Sequence, residues 1–354
     1  MNQDTDKFNA WKDNKRMMRH ASEPPKLTTG LFTVLVRLSL LLTLITVVLS
    51  AYIRLAENGL DCEPWPACYG VLGDEQQGIT VLTREGEQMA HRGARFAHRY
   101  IASLLGLCII GLTIVSLQRR SVHSPGPALP LLLLCLTVFL SILGYSTPTR
   151  TSPLVTLGNL AGGMAMLAML WWLLLRSSSS TRACVQQPAA LKTGCRIALL
   201  AVCFVLLLGA WVSANFAATA CPQLPGCERA WLSLAGLVEG FDPGRQLKVD
   251  PAGRIVEYTS NNTIAMVHRL GAAMLVIYLL WLGSIAIKSE NQSLRRGGYA
   301  LVTLTVLQPL LGAASVLGGL PLLLVTVHNG VGALLLLAVV NLLHLVSPIM
   351  AGRR

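Results

Sequence analysis

Four positions in the chain share a frame that repeats after 170 residues. HRYIASLLG begins at His98 and HRLGAAML at His268, while LVTLGNLAGG at 154–163 is echoed by LVTVHNGVGA at 324–333. Histidine fills three of these positions (His98, His268 and His328) and Gly158 fills the fourth; both intervals, 98 to 158 and 268 to 328, are 60 residues. Each position lies near the start of an apolar run, which in a bilayer puts it a turn or so, ~5–10 Å, below one interface. A polar ring in hydrocarbon is costly without a partner, so it faces a bundle interior and marks a site there. Two histidines at one depth on facing helices can supply both axial ligands of a heme iron, and we assign His268 and His328 that role, with His98 a third heme-iron ligand. The competing reading is an interhelical hydrogen bond from each ring.

Other chemistry-bearing residues cluster around these four. Arg99 and Arg269 each follow a histidine. They either pair with heme propionates or act as interfacial anchors whose charged ends reach water. CEPWPAC at 62–68 and CPQLPGC at 221–227 place Cys62 and Cys68, and Cys221 and Cys227, at equal spacing in two proline-containing loops. If those loops face an oxidising compartment, each pair closes as a disulfide, serving as a staple or as a redox-active bond. Zinc is the weaker reading, because no histidine accompanies the cysteines in the repeat. Cys108, Cys135, Cys195 and Cys203 fall in apolar runs and read as packing residues. His20, His123 and His344 read as structural or solvated, and His91, seven residues before His98, as a possible neighbour on the same helical face.

The elements that must position these residues follow from composition. The chain has 354 residues, 53% hydrophobic and 13% charged, too little charge to cover a water-soluble surface. Eight runs approach or reach the ~20 residues a membrane helix needs, near 31–53, 94–117, 127–146, 153–175, 196–215, 263–287, 298–317 and 321–346. The fold class expected is an all-α polytopic membrane protein, with eight transmembrane helices as two repeated four-helix bundles. The boundaries expected are a tail at 1–30, halves at 31–176 and 194–346, a linker at 177–193 and a tail at 347–354. Basic residues concentrate in the N-terminal tail and in the connections after the second, fourth and sixth spans. By contrast, 12 of the 17 acidic residues lie in the long loops after the first and fifth spans. The positive-inside rule then places both termini in the cytoplasm and both cysteine loops outside, as in a bacterial inner-membrane protein. The net charge of +12 is this anchoring, spread over short loops, and does not indicate nucleic-acid binding.

These residues together resemble the heme A synthase family, over about 31–346. YIRLAENGLDCEPWPACYG at 52–70 and MVHRLGAAML at 266–275 carry the resemblance most specifically, with VTVHN in the last span. The resemblance implies oxidation of the C8 methyl of heme O, the substrate, to the formyl of heme A for cytochrome oxidase. It also implies a heme b cofactor held by His268 and His328, heme O facing His98, and a paired Cys62 and Cys68. Implied partners are a heme O-producing enzyme and components of cytochrome oxidase assembly; beside these we expect contact with the lipid bilayer and allow a homo-oligomer.

The sequence departs from the family at two positions in the N-terminal half. Arg95 stands where the family has glutamate, three residues before the first histidine, and Gly158 stands where it has histidine, with Asn159 beside it. Arginine cannot relay a proton as a carboxylate does, although it can bind propionates. Gly158 leaves an iron position opposite His98 open, which suits oxidation, whereas paired histidines suit electron transfer; equally, it marks a site that has lost its ligand. Arg95, His98, Gly158 and Asn159 are therefore the catalytic candidates, and a non-catalytic heme-binding assembly protein is the alternative function.

Overall fold

A computed structural model describes residues 26–57, 85–118, 126–146, 152–177, 189–227, 231–251, 255–256 and 258–347. The described residues form nine helices: α1 Lys26–Glu57, α2 Glu85–Gln118, α3 Ala128–Ser146, α4 Pro153–Ser177, α5 Ala189–Ala214, α6 Leu234–Gly240, α7 Ser260–Ile287, α8 Gln292–Leu317 and α9 Leu322–Val346. All but the short α6 are long and apolar enough to cross a membrane, at the eight places the sequence marks. The protein is an all-α, multi-pass membrane protein. Among the described residues, the only extended pairing is an isolated bridge between Val249 and Ile255.

Helix is the form that a single span can take in lipid, because it satisfies every backbone group within the segment. Several helices run past the apolar stretch that marks them. α2 begins at Glu85 rather than near 94, and α8 at Gln292 rather than near 298, since hydropathy registers the lipid-facing part and not the polar turns beyond it. Caps set the true ends. The Asn291 side chain accepts from the Ser293 and Leu294 amides at 2.9 and 3.2 Å to start α8. At the end of α5, Phe216 turns left-handed (φ 54°) and the Ala217 amide donates back to the Val212 carbonyl at 3.0 Å, a Schellman closure.

The packing order is the same in both halves. In the first, α1 packs on α2, α2 on α3, α3 on α4 and α4 on α1; in the second, α5, α7, α8 and α9 form the equivalent ring. Each ring has its own apolar core, one around Ile109, Leu112 and Leu170 and the other around Leu279, Leu301 and Val339. The rings meet along α1, α4, α5 and α9. A small residue lies there: a Cβ added at Gly330 of α9 would meet Val48 Cγ2 of α1 at 3.7 Å. Among the described residues, a hydrogen bond and a ring contact cross the seam. Arg54 Nη1 donates to Ser213 Oγ at 2.8 Å, and at the other end Trp172 and His344 meet edge to face at 5.4 Å.

Candidate functional site

The second ring carries the histidine pair. His268 lies on α7 and His328 on α9, and the rings are near enough to interact electrostatically. Each imidazole is seated against a glycine on a neighbouring helix. A Cβ at Gly209 of α5 would stand 3.0 Å from His268 Cε1, and one at Gly312 of α8 would stand 3.2 Å from His328 Cε1. Any side chain at either position would push on the ring. In both rings Nδ1 is buried with no hydrogen-bond partner, a costly state for a polar nitrogen unless something binds there.

Gln308 adds a polar group beside His328. Its Nε2 donates to the His328 carbonyl oxygen at 3.2 Å and lies 3.4 Å from the ring Nε2. Pro309 follows it inside α8 and withholds an amide from the Thr305 carbonyl.

Arg269, next to His268, is engaged with the cysteine loop. Its guanidinium donates to the carbonyls of Gln223 at 2.7 Å and Gly226 at 3.2 Å, and also to that of Cys221. Cys221 and Cys227 have Cα atoms 5.0 Å apart with their sulfurs at bonding distance. The partner of Arg cysteine-loop clamping is thus main chain, a third role beside the two that sequence left open. Cys62, Cys68, His20, His123 and the side chain of His91 lie outside the described residues.

Above His268, toward the cysteine-loop end, sits a buried polar cluster. Arg245 is only 6% exposed. It donates to Ser260 Oγ at 3.0 Å and Asn261 Oδ1 at 3.2 Å, and its guanidinium carbon stands 4.1 Å from the centre of the Tyr258 ring. Burial lowers its pKa from the usual arginine value, while Glu239, Tyr258 and Asp242 act in the opposite direction.

The first ring is built differently. His98 is half-buried on α2, on the face that continues through the buried Leu105 and Leu112, whereas Arg95 and Arg99 are exposed. Gly158 lies on α4 with Asn159 half-buried beside it. A Cβ at Gly158 would meet Leu143 Cδ1 of α3 at 3.2 Å, and Gly162 faces Leu140 of the same helix. On α9 the matching His328 and Gly332 face Gly312 and Gln308 instead. Leucine occupies the α3 side of the first ring where the second offers a glycine slot and an amide.

Comparisons with known proteins give one family. The model of a cytochrome oxidase assembly protein family matches residues 33–340. A heme A synthase from Shewanella oneidensis is 32% identical over 329 residues, covering 88% of this chain and 95% of its own. The chain belongs to the heme A synthase family. Membership spans both rings, so the paired histidines, the glycine slots and the cysteine loop of the second ring all fall within the matched region.

The sequence singles out the histidines but not the residues that seat them. A signal was present, because LLGA occurs at both 207–210 and 310–313, placing the two slot glycines in identical local sequence on α5 and α8. Arg245 gave none; a lone arginine in a loop becomes notable only once its burial is known.

Proposed function

We propose that the protein is a heme A synthase, oxidising the C8 methyl of heme O to the formyl of heme A for cytochrome oxidase biogenesis. The observation that carries the reading is the histidine pair of the second ring, glycine-seated, each with an orphaned buried nitrogen, in a chain matched to the family from 33 to 340. The donor set fits a heme: two neutral imidazoles from α7 and α9, the diagonal helices of one ring. His268 and His328 would hold a heme b, which when bound would supply one-electron transfer. Gly209 and Gly312 clear room for the imidazoles, and Gln308 fixes the backbone and ring of His328.

In the first ring His98, facing inward, would orient heme O, and Arg95 and Arg99 at the same end would meet its carboxylates. The protein would lie in a bacterial inner membrane with both termini cytoplasmic, beside a heme O-producing enzyme and cytochrome oxidase assembly components.

A second reading has its own support. Leu143 and Leu140 fill the α3 side of the first ring at Gly158 and Gly162, which favours a relative that binds heme in the second ring and has lost the oxidation. One experiment separates them: chromatography of hemes extracted from the full-length protein, purified from cells that also make heme O. Heme B with heme A or a hydroxylated heme O establishes the synthase; heme B alone, despite available heme O, establishes the binding protein.

A further inference from the structure

Among the described residues, Arg245 is a charged side chain held in the interior. It is almost wholly buried, its two hydrogen-bond partners Ser260 and Asn261 are neutral, and its Nε–H has no partner. Glu239 and Asp242 are near enough to be felt but form no ion pair with it. A buried guanidinium with only neutral partners is costly, and an anion against it removes that cost.

The position of the cluster says which anion. Asn261, which accepts from Arg245, precedes His268 by seven residues on α7. Seven residues are close to two full turns, so Asn261 lies on the same helical face as His268, ~10.5 Å nearer the cysteine-loop end. Ile264, 1% exposed, continues that face between them and packs with Trp211 and Ala217 at the end of α5. Gly209, against which His268 is seated, is on the same helix α5. Arg245 is therefore tied to a residue two turns from His268 on the same face of α7, a separation on the scale of a porphyrin's carboxylate arms. Arg269, the obvious sequence candidate for that role, is committed to the carbonyls of the cysteine loop.

We propose that Arg245, positioned by Ser260, Asn261 and Tyr258, is a carboxylate-binding site that holds an acidic arm of the porphyrin ligated by His268. The inference rests on the reading that His268 and His328 hold a heme. The guanidinium offers its free Nε–H to a carboxylate oxygen as a charge-assisted hydrogen bond, and the bound anion neutralises the buried charge.

The test uses the full-length protein, stripped of heme in detergent and titrated with iron protoporphyrin IX or with its dimethyl ester, which has no carboxylate. The wild type is expected to prefer the free acid by roughly tenfold or more, the scale of one charge-assisted hydrogen bond in a dry site. Arg245→Gln is expected to bind the ester nearly as the wild type does and to lose the preference, whereas Arg269→Gln is expected to keep it. A wild type that takes both porphyrins equally overturns the proposal without recourse to any variant, as does an Arg245→Gln protein that still prefers the acid. Binding of neither porphyrin by the wild type would instead sink the heme reading itself, and this site with it.

Discussion

Replacing Gly209 by alanine tests whether the glycine slots serve the histidines. The new Cβ would stand 3.0 Å from His268 Cε1, while carbon atoms pack best at ~3.5–4.0 Å, so the ring must retreat by roughly 0.5–1 Å. Alanine in a helix interior gains about 1 kcal/mol over glycine, and overpacking a well-filled site costs about 1–3 kcal/mol. The balance is a modest destabilisation, between about zero and 2 kcal/mol, but the displaced atoms belong to a proposed iron ligand. Gly111→Ala is the matched control, since its Cβ meets Leu35 Cδ1 and Cδ2 at an ordinary 3.7 and 4.0 Å; it should be neutral or stabilising. The assay pairs thermal unfolding in detergent with the optical spectrum and heme content of each purified variant. Gly209→Ala is expected to lose heme or alter the spectrum beyond what its stability change explains. If it matches Gly111→Ala in melting temperature, spectrum and heme content, His268 does not need the slot and our account of the site is wrong.

Four further outcomes are expected. His268→Ala and His328→Ala should each abolish the b-type absorbance; normal heme content in both would remove the ligand assignment. Gly158→His should destabilise the protein by about 1–3 kcal/mol through Leu143, and adding Leu143→Ala should recover the melting temperature; an unperturbed single variant contradicts the packing at α3. Cys221→Ser should lower stability by about 2 kcal/mol through the lost closure of a short loop, and titration of free thiols with and without reductant checks that the pair is bonded. Arg269→Gln should destabilise the protein, and less so in a Cys221→Ser background, because both changes loosen the same loop; strict additivity would show that the arginine does not act through it.

Much of the fold was legible because lipid imposes a simple rule. A run such as LVTVHNGVGALLLL has no way to cross hydrocarbon other than as a helix, and eight such runs gave eight helices. The helix ends were less legible, since α2 starts nine residues before its apolar stretch, in a segment of ordinary polar composition. At the site, the repeat in sequence located His268 and His328 but not what they touch. Contacts such as that of Gly209 with His268 join residues far apart in the chain, and their spacing depends on how α5 and α7 dock. Arg269 shows the same limit: beside a histidine it reads as a partner for a ligand, yet its fork is filled by carbonyls that no side-chain pattern reveals. Gly158 looks like vacated space in one dimension, and the structure puts Leu143 against it.

The seam between the rings bears on how the protein is made. Arg54 near the end of α1 finds Ser213 on α5, and Val48 packs against Gly330 on α9. During synthesis the first helix enters the bilayer long before α5 and α9 exist, so for that interval Arg54 and Val48 lack Ser213 and Gly330. The first four spans are thus a waiting intermediate, dependent on the last four for completion. Expressed alone they should be short-lived in the membrane, and co-expression with the remaining spans as a separate chain should rescue them.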